Sequence, residues 1–149
     1  MKYSEGHTGR VIVARFSDGE EFVSGMKELV LTTKITSALV FFIGALRSGE
    51  VVVGPVEDVI PPTPEWMSFE GAWEVVGIGT LFSSGSEPLL HMHGAIGRDA
   101  KSLVGCIRKI AEVYLIMEVV LLEICDTGTV KVYDPVSGHF LLDPNPDKP

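Results

Sequence analysis

Apolar residues alternate with polar ones along much of this 149-residue chain, and a period of two is that of strands with one buried face. Val11, Val13 and Phe16 mark a first strand over 9–16. The period then changes. Asp18 fits a helix N-cap, with Glu21 three residues on as in a capping box. Phe22, Met26, Leu29 and Val30 recur at helical spacing, which predicts an amphipathic helix over 19–32.

Strand-like runs follow over 35–46 and 50–56, separated by a turn at Ser48-Gly49. Pro61, Pro62 and Pro64 break regular structure, so residues 59–70 are expected to form a loop, or an insertion lying over a neighbouring surface. Residues 72–82 read as a strand holding Gly77 and Gly79, which mark a bulge or a close backbone approach. Turns at 83–86 and 97–99 bracket another strand over 88–96. Val113 to Ile124 reads as a long strand, although its length also suits a helix. Residues 130–133 and 139–142 predict a small hairpin around Pro135, Ser137 and Gly138. The polar, proline-rich residues 143–149 are expected to be a disordered tail. No repeat or linker divides the chain, so one domain over 1–142 is expected, of α+β class: many strands and one main helix.

Composition sharpens this picture at three points. The apolar fraction of 46% is ordinary, but a mean hydropathy of +0.29 is high for a small monomer. Either the core is unusually rich or one surface is apolar and pairs with another subunit. The longest apolar run, Ile110 to Ile124, is interrupted by Glu112, Glu118 and Glu123, so it is no membrane span. Met1 to Arg10 holds no hydrophobic signal region, and a cytoplasmic location is expected. In that setting Cys106 and Cys125 are free thiols or ligands rather than a bridge. The net charge is −8 and the cations are scattered, which argues against binding nucleic acid through its phosphates.

His91-Met92-His93 is the segment with chemical content. Residues two apart on a strand share a face, so two imidazoles can converge on one ion while Met92 points away. If 88–96 and 102–107 are neighbouring antiparallel strands, Cys106 lies close to the pair. Two His and one Cys leave a fourth position open, and these soft donors suit zinc better than magnesium or calcium. The alternative is that Cys106 is a small buried apolar residue. Glu118, within Leu115 to Val120, is costly to bury unless paired. It either orients a ligating His or acts as a base, or else it is exposed or bridges subunits. Gly77-x-Gly79 lacks the helix and third glycine of a nucleotide fingerprint, and no G-x-S-x-G, P-loop or C-x-x-C is present. His7 and His139 lie in polar, turn-like contexts and are expected to be solvated.

Several segments, in order, resemble one family. They are Phe42-Ile43-Gly44-Ala45-Leu46, Gly71-Ala72-Trp73-Glu74-Val75-Val76, His91-x-His93, Gly105-Cys106 and Glu118-Val119-Val120. From about Arg10 to Ile124 the chain resembles the PPC (plant and prokaryote conserved) domain family, in its stand-alone prokaryotic form. The resemblance implies about seven mostly antiparallel strands with a helix packed on the sheet, assembled as a homotrimer. It also implies that zinc is held in some members by three histidines near the subunit boundary. Plant members carry an AT-hook. No R-G-R-P hook occurs here, so DNA binding is not carried over. Residues 71–76 correspond to a segment associated with protein partners.

The chain departs from the family's G-G-H pattern at Val104 and Cys106. Either Cys106 ligates as thiolate or the site is degenerate and empty. A thiolate would lower the net charge of a zinc site from +2 to +1, weaken its Lewis acidity and raise the pKa of its water. Two functions follow from the resemblance. One is a trimeric zinc domain with ligands His91, His93 and Cys106, supporting metal-assisted hydrolysis with Glu118 as an assisting carboxylate. The other is a non-catalytic oligomeric module that meets a protein partner through residues 59–76.

Overall fold

Strand β5 (Lys101–Cys125) organises the architecture by pairing with three other strands. The computed structural model describes residues 1–144. In chain order the remaining elements are β1 (His7–Ser17), α1 (Phe22–Thr33), β2 (Ser37–Pro55), β3 (Pro64–Ser84), β4 (Glu87–Arg98), β6 (Val130–Asp134) and β7 (His139–Asp143). The second half of β5 lies between β1 and β2, with Val120 opposite both Val13 and Phe41. Its first half pairs with β4. Since β2, β3 and β4 also pair in sequence, these four strands form a closed ring of antiparallel pairings. Closure removes edges that would otherwise present unpaired backbone groups. β6 and β7 form a separate two-stranded sheet.

The mostly antiparallel expectation holds, but the seven strands among the described residues are split into sheets of five and two, and with one short helix the chain is predominantly β, so the α+β label fits only roughly. The strands are divided differently, however. The 35–46 and 50–56 runs are one strand, β2, in which Ser48-Gly49 is a register irregularity rather than a turn. The 59–70 loop is also corrected: β3 begins at Pro64, and Phe69 lies opposite Gly49. A proline is tolerated as the first residue of a strand. Beyond it Phe69 is buried and its ring packs edge-on against Trp73, 5.8 Å between centroids, which ties the segment to the core. The expected tail over 143–149 lies almost wholly outside the described residues, and Asp143 itself ends β7.

The helix forms where the spacing placed it, but its cap differs. Glu21, not Asp18, is the N-cap, accepting from the main-chain N–H of Val23 at 3.2 Å and Ser24 at 2.6 Å. It also accepts from Ala111 N at 2.9 Å, tying the helix start to β5. Burial raises the Glu21 pKa, but the hydrogen bonds from Ser24, Ala111 and Val23 outweigh it and hold the carboxyl below its ordinary value. Asp18 serves β5 instead. Between the Gly44–Met117 and Ala45–Tyr114 pairs β5 carries extra residues, with Leu115 at φ 62°. The Leu115 N–H, freed from the ladder, donates to Asp18 Oδ1 at 2.7 Å.

Phe22, Met26 and Val30 are fully or almost fully buried on one helix face. The Phe22 ring meets Phe16 at 5.4 Å and Phe42 at 5.1 Å. Each such side chain contributes about 1.5–3 kcal/mol by leaving water. The other side of the sheet is open. Val13, Phe41, Ile43, Val76, Ile78 and Val104 are all exposed there, and they occupy neighbouring positions in the ladders.

Candidate metal centre

The ladder between β4 and β5 places His93 directly opposite Cys106. The neighbouring pair is Gly94 and Gly105. A Cβ on Gly105 would lie 2.3 Å from the Val52 carbonyl oxygen, so glycine is what lets this part of β5 lie against β2. His91 is two residues before His93 and shares its side of the strand. Met92, between them, is buried in the core as its parity requires.

The three side chains converge. His91 Nε2 and His93 Nε2 are 3.1 Å apart, with rings nearly perpendicular at 77°. The donor atoms of His91, His93 and Cys106 all lie within 4.8 Å of one another. A tetrahedral ion with bonds of about 2.0–2.1 Å to nitrogen and about 2.3 Å to sulfur separates its donors by roughly 3.3–3.8 Å. The group therefore sits within about an ångström of a ligating arrangement, and its donor set fits a soft divalent ion.

The surroundings bear on protonation. Burial, then the charges of His93, Lys131, Arg108 and His139, lower the His91 pKa to about 4. At neutral pH its imidazole is uncharged, the form that ligates metals. Cys106 is buried, yet it is not surrounded by carbon alone: Arg108 Nε donates to its Sγ at 3.0 Å.

The β6–β7 hairpin closes one side of the site. Together with β4, β5 and the helix it forms an open cavity of about 360 Å³ lined by His91, Cys106, Arg108, Lys131 and His139, among others. Lys131 is buried, and its Nζ donates to the Leu89 carbonyl at 3.3 Å. Burial lowers the Lys131 pKa, with Cys106 acting in the opposite sense. The expectation that His139 is solvated is corrected. It is half-buried, it faces this cavity, and its Nδ1 lies 2.7 Å from the Ser137 carbonyl. His7 is exposed as expected, 3.2 Å from Asp126.

Within this chain Glu118 is not brought to the cluster. It is exposed on the open sheet face, opposite Arg15 and Ile43, on the far side of the Leu115 bulge from Cys106. Residues 71–76 alternate along β3: Trp73 and Val75 are buried, while Ala72, Glu74 and Val76 are exposed. Sequence reading missed Arg108, Lys131 and His139. The hairpin itself was visible in the pattern, but its docking onto the site was not.

The sequence model of the Plants and Prokaryotes Conserved (PCC) domain matches residues 3–125. No curated protein sequence gives a match. Among solved structures, a metal-containing protein from Archaeoglobus fulgidus is similar at 25% identity and a TM-score of 0.82, over 95% of this chain and 98% of that one. A plant- and prokaryote-conserved protein from Pyrococcus horikoshii is similar at 20% identity and a TM-score of 0.80, over 94% and 96%. A protein from Bacteroides thetaiotaomicron, named as a candidate DNA-binding protein, is similar at 20% identity and a TM-score of 0.75, over 93% and 96%.

Proposed function

This chain belongs to the PCC domain family, and we propose that it is a metal-binding member that holds zinc through His91, His93 and Cys106. The observation that carries this reading is the convergence of two imidazoles and one thiol within 4.8 Å on adjacent strands. The metal-containing Archaeoglobus fulgidus protein, alike over nearly all of both chains, adds support. Two nitrogens and a sulfur favour zinc over the oxygen-seeking magnesium and calcium.

When bound, such an ion supplies a Lewis acid with one coordination position open to water or substrate, the requirement for metal-assisted hydrolysis. The protein's own residues prepare that position. Partial desolvation and the neighbouring positive charges keep His91 neutral, Arg108 donates to the sulfur, and the hairpin supplies one wall of the cavity.

The assembly we propose is a homotrimer in which other copies cover the open sheet face. Val13, Phe41, Ile43, Val76, Ile78 and Val104 form too broad an apolar surface for a small monomer to leave in water. One ladder row, Val13–Val120–Phe41–Ile78–His93, runs from this face to the ligand cluster, which supports a metal site near the boundary of such an assembly. Glu118 and Arg15 stand opposite each other on the same face and are free to pair between copies. Neither takes part in an ion pair among the described residues. Unbridged Cys106 and Cys125 suit a reducing, cytoplasmic setting, and no helix of the described residues is long and apolar enough to cross a membrane. A net charge of −8 opposes extending DNA binding to this chain.

The second reading is a non-catalytic interaction module. The exposure of Ala72, Glu74 and Val76 favours it, since a protein partner could be met there. Cobalt(II) substitution separates the two. The metal-site reading predicts a thiolate-to-cobalt charge-transfer band that disappears in Cys106→Ser. Absence of that band in the wild-type protein would leave the interaction module standing.

A further inference from the structure

The cavity beside the ligand cluster carries positive charge that metal binding does not use. Lys131 is only 8% exposed. Its one hydrogen bond among the described residues is to the Leu89 carbonyl, a dipole that does not neutralise an ammonium. Lys131, Arg108 and Lys27 all line the cavity, and none of them takes part in an ion pair among the described residues. Glu87 is the single carboxylate on the wall, and it too is outside every such pair. Arg108 spends its Nε on Cys106 Sγ and leaves the rest of its guanidinium uncommitted. In a chain of net charge −8 these cations are placed against the overall balance. A buried charge without a counter-charge is costly, and an anionic ligand removes that cost.

We propose that this cavity binds the oxyanion group of a small molecule, a carboxylate or a phosphate, through Lys131 Nζ and the Arg108 guanidinium. This names the ligand class for the metal site and rests on that reading for the chemistry done there, though not for the anion binding itself. A volume of about 360 Å³ suits a small molecule. Val23, Leu89 and Phe140 offer apolar wall for the uncharged part of the ligand. Lys131 and His139 lie on the β6–β7 hairpin, outside residues 3–125 that match the family model.

The test is calorimetric titration with inorganic phosphate and with acetate, at fixed ionic strength, of protein as purified and after chelation. Wild-type protein should bind one anion per protomer saturably in both forms. Lys131→Met should weaken that binding about tenfold or more, and so should Arg108→Gln, a milder change at an exposed residue. Lys101→Met, at an exposed lysine outside the cavity, should match wild type. Tighter binding of phosphate than of acetate assigns a phosphate ligand, and the reverse a carboxylate. No saturable binding by wild type, or equal binding by wild type and the folded Lys131 and Arg108 variants, overturns the proposal. Because the chelated form is titrated, the outcome does not depend on whether zinc binds.

Discussion

His93 and Cys106 face each other across the β4–β5 ladder, and His91 Nε2 lies 3.1 Å from His93 Nε2. This cross-strand pairing turns a two-histidine segment into a three-donor group. A one-residue slip of register would send the opposing side chain to the other face and leave two histidines alone. Beside it stands the Gly94–Gly105 pair, in which Gly105 lets β5 lie against the Val52 carbonyl of β2.

Gly105→Ala should therefore disturb both the fold and the site. Its Cβ would meet the Val52 carbonyl oxygen at 2.3 Å, which forces backbone apart and costs about 1–3 kcal/mol. Gly97→Ala is the control. Its nearest neighbour would be 3.9 Å away, so stability should be close to wild type. Urea denaturation of both variants checks the contrast.

The open sheet face predicts assembly. Sedimentation of wild-type protein should give a mass of about three times the 16.1 kDa protomer. Ile43→Asp, placing a charge at the centre of the face, should yield folded monomers. A wild-type protein that sediments as a monomer would refute the trimer.

The cap predicts a loss on removal of Glu21. Glu21→Ala strips the helix start of its acceptor and leaves the Ala111 N–H without its partner. A loss of about 1–3 kcal/mol is expected from chemical denaturation. The same change at Asp18 should spare the helix and act on the β5 bulge.

Acid stability follows from Glu123. The hydrogen bond from the Arg10 side chain, aided by the Arg10 N–H, lowers the Glu123 pKa to about 2. A carboxyl depressed in the folded state contributes stability that is complete above its unfolded value of about 4.5 and is lost as pH falls toward about 2. Thermal melts of Glu123→Gln should differ from wild type at pH 6 and converge with it toward pH 2. A difference that grows with acid would contradict this account.

Part of this was legible in the chain and part was not, for identifiable reasons. His91, His93 and Cys106 could be grouped because strand parity and the turn at 97–99 were both local signals. The helix was legible because Phe22, Met26 and Val30 share a face. Its cap was not, since Asp18 and Glu21 both precede the helix and amides of β5 decide between them. The proline cluster concealed the start of β3, whose pairing is fixed by Phe69 and its partners in β2. Lys131 and His139 escaped notice because the docking of a hairpin onto a cavity leaves no periodicity in sequence.

The central claim is that Cys106 completes a metal site with His91 and His93. Metal content per protomer, measured by elemental analysis on untagged wild-type protein and on Cys106→Ala, tests it most directly. The account predicts near-stoichiometric zinc in the wild type and loss of most of it in the variant. Wild-type protein that takes up no zinc, or a Cys106→Ala variant that keeps all of it, would contradict the account.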